Sequence, residues 1–344
     1  VWTEAEIDDV LGKDAPAFKA AYDVTPEGNW EGKTILNRSR DLNLGPEASE
    51  KALGKSRDKL LKVRDKRVPP QRDDKVLADW NGLMIAAMAK AGAVFDEPAW
   101  VGQAEAVFAF IAENMTADGR LGHTWCAGRL RHPATVDDYA NVSRAALVLH
   151  GVTGEGGYLD QAVRWLDVVD AHYWDADGQG YFLSADDTKD VIARSKTIHD
   201  NAVPSGNGVM AEVLARLFLL TGDPRYRTRA DKLFPAIAGK EPAQQVHQPT
   251  LLMAFELLET GRQVVIAGDP KDKATAGLRR VVFDAGLVNR VIAQVAPDDV
   301  LPEGHPAHGK GPVDGKPAVY VCVGQACGLP LTDADAVRGA LARP

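Results

Sequence analysis

The chain has 344 residues, with 40 Lys and Arg against 48 Asp and Glu and a formal net charge of −8. This length is enough for two domains, or for one large toroid or barrel with a sizeable core. The acidic balance argues against nucleic acid or an anionic membrane as a partner, because such binders present a basic face. No apolar run approaches the roughly 18–20 residues of a membrane span. Three cysteines cannot build a disulfide framework, so we expect a reducing, cytoplasmic location.

The N-terminal part begins with two short predicted helices, Thr3–Leu11 and Asp14–Ala21. A charged helix follows at residues 47–66 and ends before Pro69, because proline cannot continue a helix. The chain opens at Val1 rather than at a methionine, which favours a fragment or a processed product.

A two-helix pattern then repeats along the chain. Helices that are apolar nearly all round alternate with helices that are apolar on one face only. The first kind is predicted at 81–94, 139–150, 207–220 and, in a shorter form, 250–258. The second kind is predicted at 99–114, 158–172 and 224–237. Asn141 lies 60 positions after Asn81, so the pattern has a nearly fixed period.

Self-similarity at a fixed spacing indicates stacked units, each unable to bury its apolar face alone. Alternation of buried and one-sided helices predicts two concentric layers. The expected fold is therefore mainly α, an (α/α)6-type toroid of the six-hairpin glycosidase kind that is incomplete in this chain. A plain solenoid is the alternative, although its helices would more often all be one-sided. Short strands around one helix then predict a small α/β region at 263–344, after a partial barrel at 1–262.

Polar clusters stand directly ahead of three of the inner helices, on what the topology predicts to be one rim of the toroid. Capping explains any single aspartate there, because Asp, Ser and Asn are favoured N-caps. A ligand site explains why all the clusters share a rim, where free N–H groups and positive helix ends face a cavity. Aromatic rings would then stack on a sugar, and carboxylates and amides would bind its hydroxyls. The predicted substrate-binding residues are Asp74, Trp80, Asn81, Trp125, Asp137, Tyr139, Arg194, Lys196, Asp200, Ser205 and Asn207.

The predicted catalytic residues are His123, His199 and Asp138. A neutral histidine near its ordinary pKa is a competent base for removing a proton next to a carbonyl. A hydrogen-bonded structural imidazole is the alternative for each histidine. Arg194 and Lys196 alternate along a strand-like segment, where they would hold an anionic or carbonyl oxygen or simply form a solvated strand face.

Four motifs occur in an order that resembles a known family. They are Asp73–Ile85, Val136–Ala140, Pro204–Asn207, and Tyr320–Cys322 with Cys327. Together they resemble the thioredoxin-domain-containing proteins of the YyaL type, which are related to spermatogenesis-associated protein 20, over essentially the whole chain. The resemblance implies a thioredoxin-like domain, then an (α/α)6 barrel similar to N-acylglucosamine 2-epimerases and cellobiose epimerases, then a small C-terminal region.

Against that layout, the chain lacks the thioredoxin-like domain and the first helical hairpins. We expect this missing N-terminal part to be supplied by another polypeptide or to have been lost. The missing hairpins in such proteins also carry rim residues, so the site in this chain is expected to be incomplete.

Three functions remain open at this point. The first is a sugar epimerase or isomerase in carbohydrate metabolism, with the two histidines moving a proton. The second is a glycoside hydrolase, with carboxylates such as Asp74, Asp138 and Asp200 as acid and base. The third is a non-catalytic scaffold that binds a carbohydrate or protein client for a thioredoxin-like domain.

The expected ligand is a small sugar or sugar derivative, with no cofactor. No metal is expected either, although a weaker alternative is a zinc set of His305, His308, Cys322 and Cys327.

Overall fold

A computed structural model describes residues 1–189, 191–238, 245–286, 288–324 and 326–342. The chain separates into two compact units, Val1–Asp73 and Asp74–Pro344. The boundary expected between residues 262 and 263 lies inside the second unit. Among the residues described, none of the helices combines the length and the apolar character that crossing a bilayer requires.

The first unit contains three helices, α1 (Glu4–Leu11), α2 (Ala15–Ala21) and α3 (Glu47–Arg64). Thr3 begins α1 with a capping box that includes Glu6, and the helices start and end close to the predicted positions. Their apolar faces form a core separate from that of the second unit. Its buried members are Trp2, Ile7, Leu11, Ala15, Phe18, Val24, Leu53 and Leu60.

The second unit is built from helices in two layers. In chain order they are α4 (Ala78–Phe95), α5 (Pro98–Asn114), α6 (Val136–Thr153), α7 (Gly156–His172), α8 (Gly206–Thr221), α9 (Pro224–Ile237) and α10 (Pro249–Thr260). The inner helices α4, α6, α8 and α10 pack side by side in that order. Helices α5, α7 and α9 lie outside them, each against the inner helix that precedes it. The predicted mainly α, toroidal fold class is confirmed.

Burial distinguishes the inner helices from one another. Nearly every residue of α6 and α8 is buried, as their uniformly apolar sequences predict. The same prediction is wrong for α4, where Trp80 and Met84 are 60% and 58% exposed. On α10, Met253 and Phe255 are also exposed. The physical reason is position, because α4 and α10 are the first and last helices of the row and each has an inner neighbour on one side only.

Gly82 marks the closest approach of α4 to α6. A Cβ atom added there would lie 2.7 Å from the carbonyl carbon of Asn141 and 2.8 Å from the backbone nitrogen of Val142. We expect Gly82→Ala to destabilise the protein by about 1–3 kcal/mol, because two backbones would have to separate. Gly102→Ala in α5 is the matched control. Its added Cβ meets nothing within 4 Å, so urea denaturation should show a gain of about 0.5–1 kcal/mol instead.

Four short strands accompany the helices: β1 (Val76–Leu77), β2 (Thr116–Ala117), β3 (Arg120–Cys126) and β4 (Arg129–Pro133). Strand β3 pairs antiparallel with the other three, which fixes its residues beside the start of α4. The strand-like segment expected to carry Arg194 and Lys196 forms no strand among the residues described between 182 and 198, which follow an irregular path. Just ahead of this segment, Tyr181 makes an isolated bridge with Trp174.

The C-terminal region forms a second sheet. Its elements are β5 (Arg262–Ala267), α11 (Lys273–Asp284), β6 (Arg290–Val295), β7 (Ala318–Val323), β8 (Ala326–Cys327) and α12 (Ala334–Leu341). The strand order is β6-β5-β7-β8, with β5 and β6 parallel. Strand β6 packs on α6 and α8, so this sheet shares the core of the inner helices.

Cys322 and Cys327 form a disulfide across the β7–β8 pair, and Cys126 is free. The expectation of reduced cysteines fails for this pair, because a bond across one hairpin needs no wider framework. The alternative zinc set is also excluded, since two of its four ligands are consumed.

Candidate active site

Asp138 closes the first turn of α6. The N-cap residue Thr135 donates its backbone N–H and its hydroxyl to Asp138 Oδ2, at 2.7 and 2.9 Å. The side chain of Asp138 is completely buried, with 0% exposure. Asp138 therefore has the capping role that its position ahead of an apolar helix predicts.

Two further donors reach the same carboxylate from other elements. His123 on β3 places Nδ1 2.9 Å from both oxygens of Asp138. The backbone N–H of Asp79, in the first turn of α4, donates to Oδ1 at 3.0 Å. Because an ionised carboxylate only accepts hydrogen bonds, we assign the proton to Nδ1 of His123, which leaves Nε2 for another partner. Asp138 is thus fully buried, and its two oxygens are engaged by donors from three segments of the chain.

His123 is the group that this arrangement presents. Its side chain is 29% exposed, although its carboxylate partner is fully buried. The hydrogen bond to Asp138 raises the pKa of His123 against the opposing effect of burial, and the nearby charges of Asp79 and Asp137 add to the rise. The hydrogen bond to Asp138 therefore favours the protonated imidazole and holds the ring in one orientation.

Two partly exposed carboxylates flank the pair. Burial, followed by repulsion from Asp138, raises the pKa of Asp79. The same two causes, with Asp79 as a third, raise the pKa of Asp137 to about 6. A Cβ atom on Gly206, the first residue of α8, would lie 2.0 Å from Asp137 Oδ1, so glycine there is what lets the carboxylate sit against α8. The ends of α4, α6 and α8 thus meet at one acidic site.

Asp79 is the member that the sequence analysis missed. Its sequence signal is its position, since Asp79 and Asp137 each lie two residues ahead of a predicted inner helix. In this segment the sequence analysis predicts Trp80 and Asn81 as the sugar-binding side chains and leaves out Asp79. The backbone contact of Asp79 to a residue 59 positions away has no sequence signature.

Four predicted binding residues have structural roles instead. Tyr139 is fully buried, and its hydroxyl accepts the N–H of Leu121 at 2.9 Å, so its ring offers no face to a ligand. Asn207 is buried and holds the backbone of Tyr181 from both sides. The remaining two are cations with partners of their own. Arg194 donates to the carbonyls of Ser184 and His172, and Lys196 donates to Asp175 and to the carbonyl of Gln179.

Several other predicted residues hold helix starts and loops. Asp200 accepts the N–H groups of Ser205 and Thr250, at 2.8 and 2.7 Å, and so links the starts of α8 and α10. Ser205 caps α8 through the N–H of Gly208, and Asn81 donates to the carbonyl of Leu77. His199 is exposed, with its ring edge-on to His247 at a centroid distance of 6.1 Å. The structure therefore groups His199 with His247 rather than with the Asp138 carboxylate.

The predicted aromatic residues differ in accessibility. Trp80 is exposed and directly follows Asp79, whose Oδ1 accepts the Trp80 N–H at 2.7 Å. Trp125 on β3 is partly buried and packs edge-on against Phe110. Asp74 is exposed, ahead of β1. Trp80 is therefore the predicted aromatic residue whose ring is most exposed to solvent.

Comparison with curated proteins gives clear relatives, although no protein-family model matches the chain. The chain is 33% identical over 333 residues to spermatogenesis-associated protein 20 of Rattus norvegicus, covering 90% of this chain and 42% of the relative. It is 31% identical over 342 residues to the Homo sapiens protein of the same name, covering 91% and 43%. The chain is a homologue of spermatogenesis-associated protein 20. It spans about two-fifths of the length of these relatives.

Solved structures give a weaker likeness. A family 76 α-mannanase of Bacteroides thetaiotaomicron matches with a TM-score of 0.45 and 11% identity, covering 81% of this chain and 82% of the other. A cellobiose 2-epimerase from Bacillus thermoamylovorans matches with a TM-score of 0.41 and 15% identity, covering 50% and 46%. Scores this low carry no argument.

The acidic site resembles a metal site only in composition. Asp79, His123 and Asp138 offer ligand atoms that lie within 4.8 Å of one another. However, the Asp138 oxygens already accept hydrogen bonds from Thr135, His123 and Asp79. Hydrogen bonding accounts for this cluster, and we assign no metal to it.

Asp137 gives the stability of the protein a testable pH dependence. A pKa raised to about 6 means that ionising Asp137 opposes folding, so its penalty is absent at low pH and complete above pH 6. We expect Asp137→Asn to be more stable than the wild type by about 1–2 kcal/mol at pH 8, after allowing for partial exposure. The gain should vanish near pH 4 in denaturant titrations. The exposed Asp177→Asn control should show no such trend, and a pH-independent difference for Asp137→Asn would contradict the assignment.

Proposed function

We propose that this chain catalyses proton transfer on a sugar, as an epimerase or isomerase, with His123 as the catalytic acid–base. The observation that carries the proposal is the pair of His123 and Asp138. The buried carboxylate holds the imidazole through Nδ1, and Nε2 belongs to a side chain that remains 29% exposed. Carboxylates orient histidine bases in enzymes in this way.

The proposed proton transfer uses Nε2, the ring nitrogen of His123 that does not bond to Asp138. Neutral His123 takes the proton from the carbon beside the carbonyl of an open-chain sugar, and the C–H electron pair forms an enediolate. Return of the proton to the neighbouring carbon, with transfer of the C2 hydroxyl proton to the C1 oxygen, gives the isomer. The epimer forms when water protonates the opposite face of the enediolate and the imidazolium of His123 gives its proton to the hydroxide that remains. Asp138 stabilises the imidazolium that forms, and the positive ends of α4 and α6 favour the negatively charged oxygen.

The surroundings of His123 support a sugar as the substrate. Trp80 presents an exposed ring in the same helical turn as Asp79, and an indole face suits the C–H face of a sugar. Asp79 and Asp137 provide carboxylate oxygens that accept hydrogen bonds from hydroxyl groups. Arg194 and Lys196 are left out of this proposal because each already has its own partners.

Glycoside hydrolysis is the second candidate, and a specific observation favours it. Burial raises the pKa of both Asp79 and Asp137, which is the property of a carboxylic acid that donates a proton to a leaving oxygen. The carboxylates expected for this role were Asp74, Asp138 and Asp200. Asp138 is buried and Asp200 binds two backbone N–H groups, so Asp79 and Asp137 replace them in this candidate.

Proton NMR in deuterated water separates the two reactions. The chain is incubated with aldoses, ketoses and reducing disaccharides. Proton transfer by His123 should replace the C2 hydrogen by deuterium and produce a new isomer or epimer. Hydrolysis should release new reducing ends with the C2 hydrogen retained.

Binding calorimetry with the same sugars completes the test. If no sugar exchanges deuterium, none is hydrolysed and none binds, both enzymatic proposals are wrong. The hypothesis of a non-catalytic scaffold for a thioredoxin-like domain would then be the one to pursue.

A further inference from the structure

The 301–311 loop packs over the C-terminal ends of two inner helices. At the end of α8, a Cβ atom added to the C-cap residue Gly222 would lie 2.3 Å from the carbonyl oxygen of Gly304. At the end of α6, the imidazole of His150 acts electrostatically on His305 of the loop. The proposed catalytic site lies at the first turn of α6, whereas His150 lies at its last turn, so the loop is remote from that site.

Few contacts tie the 301–311 loop to the rest of the protein. Ala307 is buried against Val265 and Val295 in a small core of its own. Among the residues that the structure describes, one hydrogen bond leaves the loop, from the Tyr320 hydroxyl to the Gly311 carbonyl at 2.7 Å. The other hydrogen bonds of the loop join its own residues. The loop can therefore separate from the sheet as one unit.

Hydrogen bonds fix the neutral forms of two histidines at this contact. The Ala307 N–H donates to Nδ1 of His305 at 3.1 Å, so this nitrogen carries no proton while the loop is in place. We assign a proton to Nδ1 of His150, which donates to the Glu155 carbonyl at 3.0 Å and leaves Nε2 without one. Protonation of His305 would turn its Nδ1 into a second donor facing the Ala307 N–H. The closed loop therefore excludes the charged form of His305.

The surroundings of both rings oppose protonation as well. Burial, followed by the charges of His150, Lys310 and His308, lowers the pKa of His305. Burial also lowers the pKa of His150, against its carbonyl partner and the carboxylate of Asp160 on α7, which favour the charged ring. Groups with a lowered folded-state pKa stabilise the closed loop fully above the ordinary histidine pKa of about 6.5, and this contribution is lost as the pH falls below it.

We propose that the 301–311 loop is a pH-sensitive switch, closed while His150 and His305 are neutral and released when they take up protons. On release, water reaches both rings, and the Nδ1 atom of His305 no longer faces the Ala307 N–H. The contact of Ala307 with Val265 and Val295 is lost at the same time. This switch goes beyond the proposed sugar chemistry and does not depend on it.

Hydrogen exchange of the full chain, measured by mass spectrometry at about pH 8 and about pH 5.5, tests the proposal. Rates are corrected for the intrinsic pH dependence of amide exchange. Protection of the 301–311 loop should fall about tenfold at the lower pH, whereas α8 should keep its protection. Equal protection of the loop at the two pH values would overturn the proposal, as would a loss that extends through α8.

His305→Asn removes the titrating group and keeps the acceptor. The Oδ1 atom of Asn can accept the Ala307 N–H as Nδ1 does, so the loop should stay closed and lose most of its pH response. His132→Asn is the matched control, because His132 is exposed and its backbone φ of 61° suits Asn. The control should keep the wild-type response. A His305→Asn loop that still opens fully at low pH would show that the switch does not use His305.

Proton NMR of the imidazole C–H resonances gives a second readout. The signal that is missing from the spectrum of His305→Asn identifies His305 in the wild type. It should titrate below the range of an exposed histidine, about pH 6.5. Titration of His305 within or above that range would overturn the proposal.

Discussion

Replacement of His123 by Gln is expected to lower the rate of deuterium incorporation into sugar by about 10²–10⁴-fold, because the acid–base group is lost while the hydrogen bond to Asp138 can be kept. Gln has nearly the same length, and its amide N–H can donate to the carboxylate in place of Nδ1. The fold should therefore survive, which circular dichroism and thermal melts would establish. His132→Gln, on the exposed neighbouring strand β4, is the matched control and should retain the wild-type rate.

The stability of the same variant should depend on pH in a defined direction. The pKa of His123 is raised in the folded state, so the pair with Asp138 adds stability below the ordinary histidine pKa. That contribution is lost as the pH rises through the raised value. The wild type should exceed His123→Gln in stability most at about pH 5–6, and the difference should shrink toward pH 9. A constant difference would show that the imidazolium is not stabilised by Asp138.

Asp138→Asn should be strongly destabilising, by about 2–4 kcal/mol in denaturant titrations. The two carboxylate oxygens accept backbone N–H groups from opposite sides, Asp79 on Oδ1 and Thr135 on Oδ2. Asparagine has one oxygen and one NH₂ group, so one backbone N–H would face another donor in a fully buried place. A role limited to the helix cap predicts a nearly silent change instead, because Asn caps helices as well as Asp does.

Asp272→Asn is the matched control for this prediction. Asp272 caps α11 by accepting the N–H of Ala274 at 3.1 Å, and its side chain is exposed. The control should change stability by only a few tenths of a kcal/mol. If Asp138→Asn behaves like the control, the account of Asp138 as a junction between three segments is wrong.

The layers of the fold could be predicted because apolar periodicity reports directly on burial. The uniformly apolar α6 and α8 are buried, and the one-sided α5, α7 and α9 lie outside them. The same periodicity could not show which inner helices end the row. The composition of α4 records that its residues are apolar, but not how many neighbours cover them.

The candidate site was predicted in part, and the failures have a common physical cause. His123 and Asp138 were identified from residue type and from their place at a rim. Arg194 and Lys196 were assigned to one face of a strand, but their segment is irregular and local backbone carbonyls take up their donors. Whether a polar side chain is free or already engaged depends on its partners in three dimensions, and sequence spacing does not contain that information.

The carboxylate of Asp138 makes the orientation of His123 conditional on the packing of separate segments of the chain. It orients His123 only when strand β3 lies beside the start of α6, and its bond to the Asp79 N–H forms only when α4 has docked alongside. A chain in which the first helical repeat has frayed would keep an imidazole, but that ring would be free to rotate. The His123 ring is therefore held in one orientation only after two successive repeats have packed against each other, and the proposed acid–base role would be lost in a chain where they have not.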